Sequence, residues 1–253
     1  MPVMKKHIPN ALTLLNLFCG SIAVIYAVND NFSSAALFVF LGIFFDFFDG
    51  FAARKLGVSS ELGLQLDSLA DMVTSGVVPG IVMYKMLELT QEKSVVMQVI
   101  NEWNSDIELS GFKLSALPLI GLCITLASAY RLAKFNLDDE QKTYFKGLPT
   151  PANTLLIVSL PLILEFQNSD AINSIIINKW FLIGLTAVSC YLLNANIKLF
   201  ALKFKDFSFK ANGLRYTFIA LCVVLLIVLQ YAAIPLIILT YILLSLWDNA
   251  TSK

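Results

Sequence analysis

Four aspartates lie close together in the sequence, at the ends of two strongly apolar segments. They are Asp46, Asp49, Asp67 and Asp71. An ionised aspartate near the centre of a membrane helix opposes insertion by roughly 2.5 to 3.5 kcal/mol, so four such residues require compensating charge. The sequence therefore predicts that a polyvalent cation binds among these carboxylates.

The first two aspartates share a helical face with two very small residues. On a helix with 3.6 residues per turn, Asp46 and Asp49 fall on the same side as Gly50 and Ala53. Because glycine has no side chain, another group can approach the backbone closely there. We expect an acidic strip beside a shallow slot.

The second pair of aspartates repeats this arrangement on the next helix. Gly63, Asp67 and Asp71 follow one another at four-residue intervals, which places them on one face. The connection over residues 55–62 is short, so the two helices are predicted to be antiparallel neighbours. All four carboxylates should then lie within a few ångströms of a common centre.

Carboxylate oxygens are the ligands of hard divalent cations, and two such ions about 3.5 to 4 Å apart commonly serve displacement at phosphorus. Arg54 lies beside the cluster and could orient phosphate oxygens. Two alternatives are a structural ionic network with Arg54, Lys55 and Lys134, or a cation pathway in a transporter. A network does not need Gly50 and Ala53, and transporters more often show sequence repeats or broken helices.

Composition identifies the class of protein that carries this cluster. The 253 residues are 57% hydrophobic and 14% charged, which is far too apolar for a soluble domain. The net charge is zero, so no nucleic-acid partner is indicated. The single histidine, His7, precedes the first apolar segment and argues against a histidine-dependent triad. We predict an all-α, polytopic membrane helix bundle that forms a single domain over residues 1–253.

The apolar segments predict about eight transmembrane helices. They cover residues 11–28, 34–53, 64–87, 115–136, 152–168, 178–197, 214–231 and 233–247. The catalytic helices fall within residues 1–160 and the additional helices within 170–250. Fourteen of the 18 Lys and Arg residues lie on one side of this arrangement and four on the other. Because cytoplasmic loops carry the excess positive charge, both termini and the aspartates are predicted to lie on the cytoplasmic side of the membrane. The predicted membrane is the inner membrane of a bacterium.

The aspartates also carry a resemblance to a known family. Asp46-x2-Asp49-Gly50-x2-Ala53-Arg54-x8-Gly63-x3-Asp67-x3-Asp71 matches the signature of the CDP-alcohol phosphatidyltransferase family at every fixed position. The resemblance implies transfer of a phosphatidyl group from a CDP-linked lipid to an alcohol, with release of CMP. It also implies that the four aspartates hold two Mg²⁺ or Mn²⁺ ions and that Asp71 serves as the catalytic base.

The same resemblance implies a binding site for the CDP-lipid. The residues that it assigns to this site are Asn10, Thr13, Gly50, Ala53, Arg54, Ser60 and Gly63. Asn10 and Thr13 are similar to an N-x-x-T element of the family beside the nucleotide. An alternative interpretation is that this pair caps the amino terminus of the first helix.

Two further segments bear on the acceptor alcohol. Residues 131–136 and 145–153 resemble the branch of the family that uses serine, which implies CDP-diacylglycerol and L-serine as substrates. Arg131 and Lys134 lie one turn apart and could clamp the serine carboxylate, and Lys146 could add charge. Alternatively, these cations are ordinary anchors at the membrane surface, and the acceptor is glycerol 3-phosphate or inositol phosphate. A non-catalytic transporter or lipid-binding protein is the alternative from another class.

Gly76 and Gly80 form a small-x3-small face on the third predicted span. Such faces let helices approach closely, either within one chain or between two copies in a homodimer. Packing within the chain is the favoured interpretation.

Overall fold

The computed structural model describes residues 2–95, 107–109, 112–137, 145–167, 169–199 and 209–251. Helices account for most of these residues. They are α1 (Pro2–Val28), α2 (Phe32–Leu56), α3 (Glu61–Asp71), α4 (Val78–Val95), α5 (Cys123–Leu137), α6 (Thr150–Phe166), α7 (Asp170–Ile176), α8 (Lys179–Asn194), α9 (Phe209–Leu229) and α10 (Ala233–Thr251). The all-α prediction is confirmed.

Four short strands among the described residues form two antiparallel pairs. Strands β1 (Ile107–Leu109) and β2 (Phe112–Leu114) pair with each other, as do β3 (Phe145–Lys146) and β4 (Lys198–Leu199). The second pair ties the segment before α6 to the segment after α8. It therefore fixes two connections that flank the candidate site.

Caps fix the short connection between α2 and α3. Helix α2 ends at Gly57, which adopts the left-handed conformation with φ 64°. Helix α3 begins after Ser60, whose hydroxyl accepts a hydrogen bond of 3.0 Å from the Gly63 N–H. The chain consequently reverses within residues 57–60, as the short predicted connection required.

Three helices are continued by segments of different helical pitch. A π-helical segment (Met72–Val77) joins α3 to α4, and a 3₁₀ segment (Pro118–Leu122) leads into α5. A second 3₁₀ segment (Gln230–Ala232) separates α9 from α10. The ring centroids of Phe218 and Tyr241 lie 5.8 Å apart, so α9 and α10 fold back on each other as a hairpin.

Five apolar helical stretches among the described residues are long enough to cross a membrane. They are His7–Val28, Phe32–Leu56, Glu61–Gln91, Pro118–Leu137 and Arg215–Asn249. The bent pair formed by α7 and α8, with 61° between its helices, would raise the number to six. Helix α6 is apolar but has only 17 residues. Each predicted span overlaps a helix, whereas the number of eight spans stays a prediction.

Glycines allow the closest approaches between helices. A Cβ placed on Gly80 would lie 2.1 Å from Thr125 Oγ1, and one on Gly76 would lie 3.3 Å from Ser128 Cβ. The face formed by Gly76 and Gly80 therefore packs against α5 within the chain, as favoured from the sequence. The apolar core lies mainly between α1, α2, α4 and α6.

Candidate active site

The predicted acidic cluster forms between α2 and α3. Asp46, Asp49 and Asp67 each offer a carboxylate oxygen, and these oxygens lie within 4.8 Å of one another. The Asp46 side chain is also within hydrogen-bonding reach of Asp67 and Asp71. Four carboxylates this close would repel one another if all were ionised without a counter-charge. Their oxygen-only donor set suits hard divalent cations.

Helix α1 positions the acidic helices by packing against both α2 and α3. The backbones of α2 and α3 make little direct contact with each other, although the sequence predicted them to be neighbours. Carboxylate oxygens from the two helices nevertheless lie within 4.8 Å of one another. Asp49 is only 6% exposed, and Thr13 of α1 donates a hydrogen bond of 2.5 Å to its Oδ2.

Asp71 is held by a short chain of hydrogen bonds. Asn16 of α1 donates from Nδ2 to Asp71 Oδ1 at 3.4 Å. Thr74, in the π-helical segment, donates to Asn16 Oδ1 at 2.8 Å, which fixes the orientation of the Asn16 amide. Asn16 and Thr74 are fully buried. The arrangement leaves the second carboxylate oxygen of Asp71 available for the other aspartates or a ligand.

Neither Asn16 nor Thr74 was predicted from the sequence as a site residue. Gly20 and Gly42 make room for Thr74, since a Cβ on either would lie within 3.0 Å of its side chain. The only signal in the sequence was a polar amide in an otherwise apolar helix. The contact with Thr74 depends on the π-helical segment, which changes the helical register just after Asp71.

A cavity of about 170 Å³ opens beside the acidic cluster. Asp49 and Asp67 form one side of it. Six of the seven residues predicted to bind CDP-lipid also line it: Asn10, Thr13, Gly50, Ala53, Ser60 and Gly63. The seventh, Arg54, folds over Gly50, with Nη1 3.3 Å from the position of a Cβ on that glycine.

The structure corrects the capping interpretation of Asn10 and Thr13. Helix α1 begins at Pro2, so both residues lie well inside it and cannot cap its amino terminus. Thr13 instead holds Asp49, and Asn10 Oδ1 lies 3.2 Å from the position of a Cβ on Gly63. A side chain at position 63 would therefore crowd the cavity.

The three predicted serine-binding cations also lie together. Arg131, Lys134 and Lys146 line one small cleft with Asn194 and Asn196. Arg131 is 8% exposed and interacts electrostatically with Asp71, so the cleft adjoins the acidic cluster. The two asparagines follow from the position of α8, which the sequence did not reveal.

Comparisons with known proteins agree with these features. The sequence model of the CDP-alcohol phosphatidyltransferase family matches residues 6–192. A CDP-diacylglycerol–serine O-phosphatidyltransferase of Bacillus subtilis is 35% identical over 159 residues, covering 61% of this chain and 75% of the relative. A Methanocaldococcus jannaschii protein of the same name is 32% identical over 182 residues, covering 72% and 71%. An archaetidylserine synthase of Methanothermobacter thermautotrophicus is 28% identical over 154 residues, covering 60% and 56%.

Proposed function

Because the chain belongs to the CDP-alcohol phosphatidyltransferase family, we propose that it transfers the phosphatidyl group of CDP-diacylglycerol to the hydroxyl of L-serine and releases CMP. The chain is an integral membrane protein and a transferase of this class. The observation that carries the proposal is the convergence of Asp46, Asp49 and Asp67, with Asp71 in reach of Asp46, beside a cavity lined by Asn10, Thr13, Gly50 and Gly63.

The cavity would hold the CDP end of the lipid. Gly50 and Gly63 line the cavity and would leave room for the ligand, and Arg54, which lies over Gly50, would bind phosphate oxygens. The diacyl tails would remain in the bilayer. A site at the end of the helices can bind the CDP end and leave the diacyl tails in the bilayer, because it adjoins both water and lipid.

Asp46, Asp49, Asp67 and Asp71 would hold two divalent cations, Mg²⁺ or Mn²⁺. When bound, such ions stabilise negative charge on the attacking and leaving oxygens of a phosphoryl group. Asp71 would accept the proton of the serine hydroxyl, and the resulting alkoxide would attack the lipid-side phosphorus opposite the CMP oxygen. The bond from phosphorus to CMP then breaks. Asn16 keeps the Asp71 carboxylate directed toward this reaction.

Serine would occupy the cleft lined by Arg131, Lys134 and Lys146, where the cations can bind its carboxylate. The names of the bacterial and archaeal relatives support this acceptor. We further propose eight spans, with both termini and the site on the cytoplasmic side of a bacterial inner membrane. The positive-inside distribution of Lys and Arg supports that orientation.

An acceptor panel tests the proposal. Purified protein is incubated with CDP-diacylglycerol, Mn²⁺ and, separately, L-serine, glycerol 3-phosphate or inositol phosphate, and CMP release is measured. We expect release with L-serine well above the rate without acceptor. Release only with another alcohol would retain the enzyme class and overturn the serine assignment. A transporter or lipid-binding protein would release no CMP with any of them.

A further inference from the structure

The cleft beside Arg131 is lined by a side-chain amide as well as by cations. Its lining includes Arg131, Lys134 and Lys146, together with Asn194 at the carboxyl end of α8. A cleft lined by three cations alone would bind any small anion. A carbonyl oxygen among them needs a hydrogen-bond donor, which a fully ionised phosphate does not have.

The orientation of the Asn194 amide follows from its contacts. Nδ2 donates to the backbone oxygen of Ala127 at 3.1 Å and to that of Cys190 at 3.3 Å. Both partners are acceptors, so the amide nitrogen must face them and Oδ1 must face the other way. Oδ1 is buried and has no hydrogen-bond partner within the described part of the chain.

Arg131 lines the same cleft and carries a complementary hydrogen-bond donor. Its side chain is buried, and Nε has no hydrogen-bond partner among the described residues. Leaving buried polar groups unpaired is unfavourable, so a ligand that satisfies both atoms would be bound preferentially. That ligand must present an anionic group to Arg131 and an N–H or O–H donor to Asn194.

We propose that this cleft binds the zwitterionic head of an α-amino acid, with its carboxylate on Arg131 and its ammonium on Asn194 Oδ1. The proposal rests on the proposed function and adds a residue that selects the acceptor. Asn194 thereby favours serine over hydroxy acids and sugar phosphates, which lack the ammonium group. Arg131 also interacts electrostatically with Asp71.

The cleft must open slightly to admit this ligand. Its free volume is about 10 Å³ in the structure, which is close to the space for one water molecule. Lys134 lines the cleft and is exposed, so its long side chain can move outward. Arg131 is fixed by its burial and the Asn194 amide by its two hydrogen bonds, so neither side chain has to move.

Kinetics of an Asn194→Ala variant test the inference. Loss of a hydrogen bond to a charged group should raise KM for L-serine roughly 10- to 100-fold. KM for CDP-diacylglycerol should change little, as should kcat. Asn29→Ala is the matched control, because Asn29 is an exposed asparagine in the turn between α1 and α2, outside the cleft, and its KM for serine should stay within about 2-fold. An unchanged KM for serine in Asn194→Ala would overturn the inference.

A second acceptor separates loss of the ammonium contact from general damage. 3-Hydroxypropionate has the hydroxyl and carboxylate of serine but no ammonium. The wild type should have a much higher KM for 3-hydroxypropionate than for L-serine. Asn194→Ala should leave the KM for 3-hydroxypropionate unchanged, so the difference in KM between the two acceptors should be smaller in the variant. Equal losses for both acceptors would contradict the assignment. Equal use of the two by the wild type would also contradict it, even if the variant does not fold.

These results are distinguishable from failure of the proposed function. A wild type that releases CMP with another alcohol and not with L-serine would refute the proposed function itself. A wild type that uses L-serine, with an Asn194→Ala variant of unchanged KM, would refute only the role of Asn194.

Discussion

At the scale of single residues, the four aspartates have different neighbours and so are not equivalent. Asp49 accepts a hydrogen bond from Thr13, and Asp71 accepts one from Asn16. Asp46 interacts with both Asp67 and Asp71. A hydrogen bond to one oxygen of a carboxylate restricts the orientation of the whole group. Two of these contacts come from α1, which carries no aspartate itself.

Asp71→Asn tests the base. The amide keeps the shape of the side chain but cannot accept the proton, so we expect kcat to fall by at least about 100-fold. CMP release in membranes with CDP-diacylglycerol and L-serine is the measurement. Asp30→Asn is the control, since Asp30 pairs with Lys85 at 3.1 Å, outside the acidic cluster and its cavity, and should retain activity. Near-normal turnover of Asp71→Asn would exclude the assignment.

Thr74→Val tests whether the hydroxyl that orients Asn16 supports catalysis. Valine has nearly the same shape, so packing against Gly20 and Gly42 should persist while the 2.8 Å hydrogen bond is lost. Outer-shell partners of ligating carboxylates commonly contribute about 10-fold or more, and we expect a loss of kcat of that size. Thr74→Ser keeps the hydroxyl and should lose much less activity. If Val and Ser behave alike, the hydrogen bond is irrelevant.

At the scale of elements, irregular helical segments place the site residues. The π-helical segment after Asp71 aims Thr74 at α1, and the 3₁₀ segment before α5 lets that helix approach α4. The β3–β4 pair ties Lys146 to Lys198, so the segment before α6 stays beside the end of α8. Because Lys146 lines the cationic cleft, the β3–β4 pairing helps to form that cleft.

Gly121→Ala tests the close approach of the 3₁₀ segment to α4. A Cβ on Gly121 would lie 2.5 Å from the Tyr84 backbone nitrogen, and backbone cannot move aside cheaply. We expect destabilisation of roughly 1 to 3 kcal/mol. Gly184→Ala in α8 is the control, because nothing among the described residues lies within 4 Å of its Cβ position. Alanine favours a helix, so Gly184→Ala should be neutral or stabilising.

Thermal unfolding of both variants in detergent provides the comparison. A lower Tm for Gly121→Ala and an unchanged or higher Tm for Gly184→Ala is the expected pattern. Equal midpoints would mean that the contact between Gly121 and Tyr84 does not contribute to stability.

At the scale of the whole molecule, the site lies where several helix ends meet. Residues near the carboxyl ends of α2, α5 and α8 and near the amino end of α3 line the cavity beside the acidic cluster or the cationic cleft. The turn between α1 and α2, with Asp30 paired to Lys85, lies at the other end of those helices.

Local patterns made much of this architecture predictable. The aspartates, Gly50 and Gly63 follow from helical periodicity over short distances, and the structure brings these residues together as expected. Asn16, Thr74 and Asn194 could not be predicted, because their contacts cross 58 and 67 positions of sequence and depend on how α1 and α8 pack. The early start of α1 was missed because its first residues include lysines and a proline.

Cysteine labelling tests the predicted orientation. The native Cys19, Cys123, Cys190 and Cys222 are first replaced by alanine, and a single cysteine is placed at Asn29 or Ser59, both of which are exposed. A membrane-impermeant maleimide added to intact cells should label Asn29→Cys, in the turn between α1 and α2. It should label Ser59→Cys, beside the site, only after permeabilisation. The reverse pattern would place the site outside the cell.

The most direct test of the central claim is a metal-dependent product balance. Purified protein is stripped of divalent ions and incubated with CDP-diacylglycerol and L-serine, and both CMP and phosphatidylserine are quantified as Mn²⁺ is restored. We predict equal amounts of the two products in the wild type, formed only with the metal present, and almost none in Asp67→Ala at any Mn²⁺ concentration. Metal-independent turnover, or an Asp67→Ala variant with unchanged Mn²⁺ dependence, would contradict phosphatidyl transfer at the four aspartates.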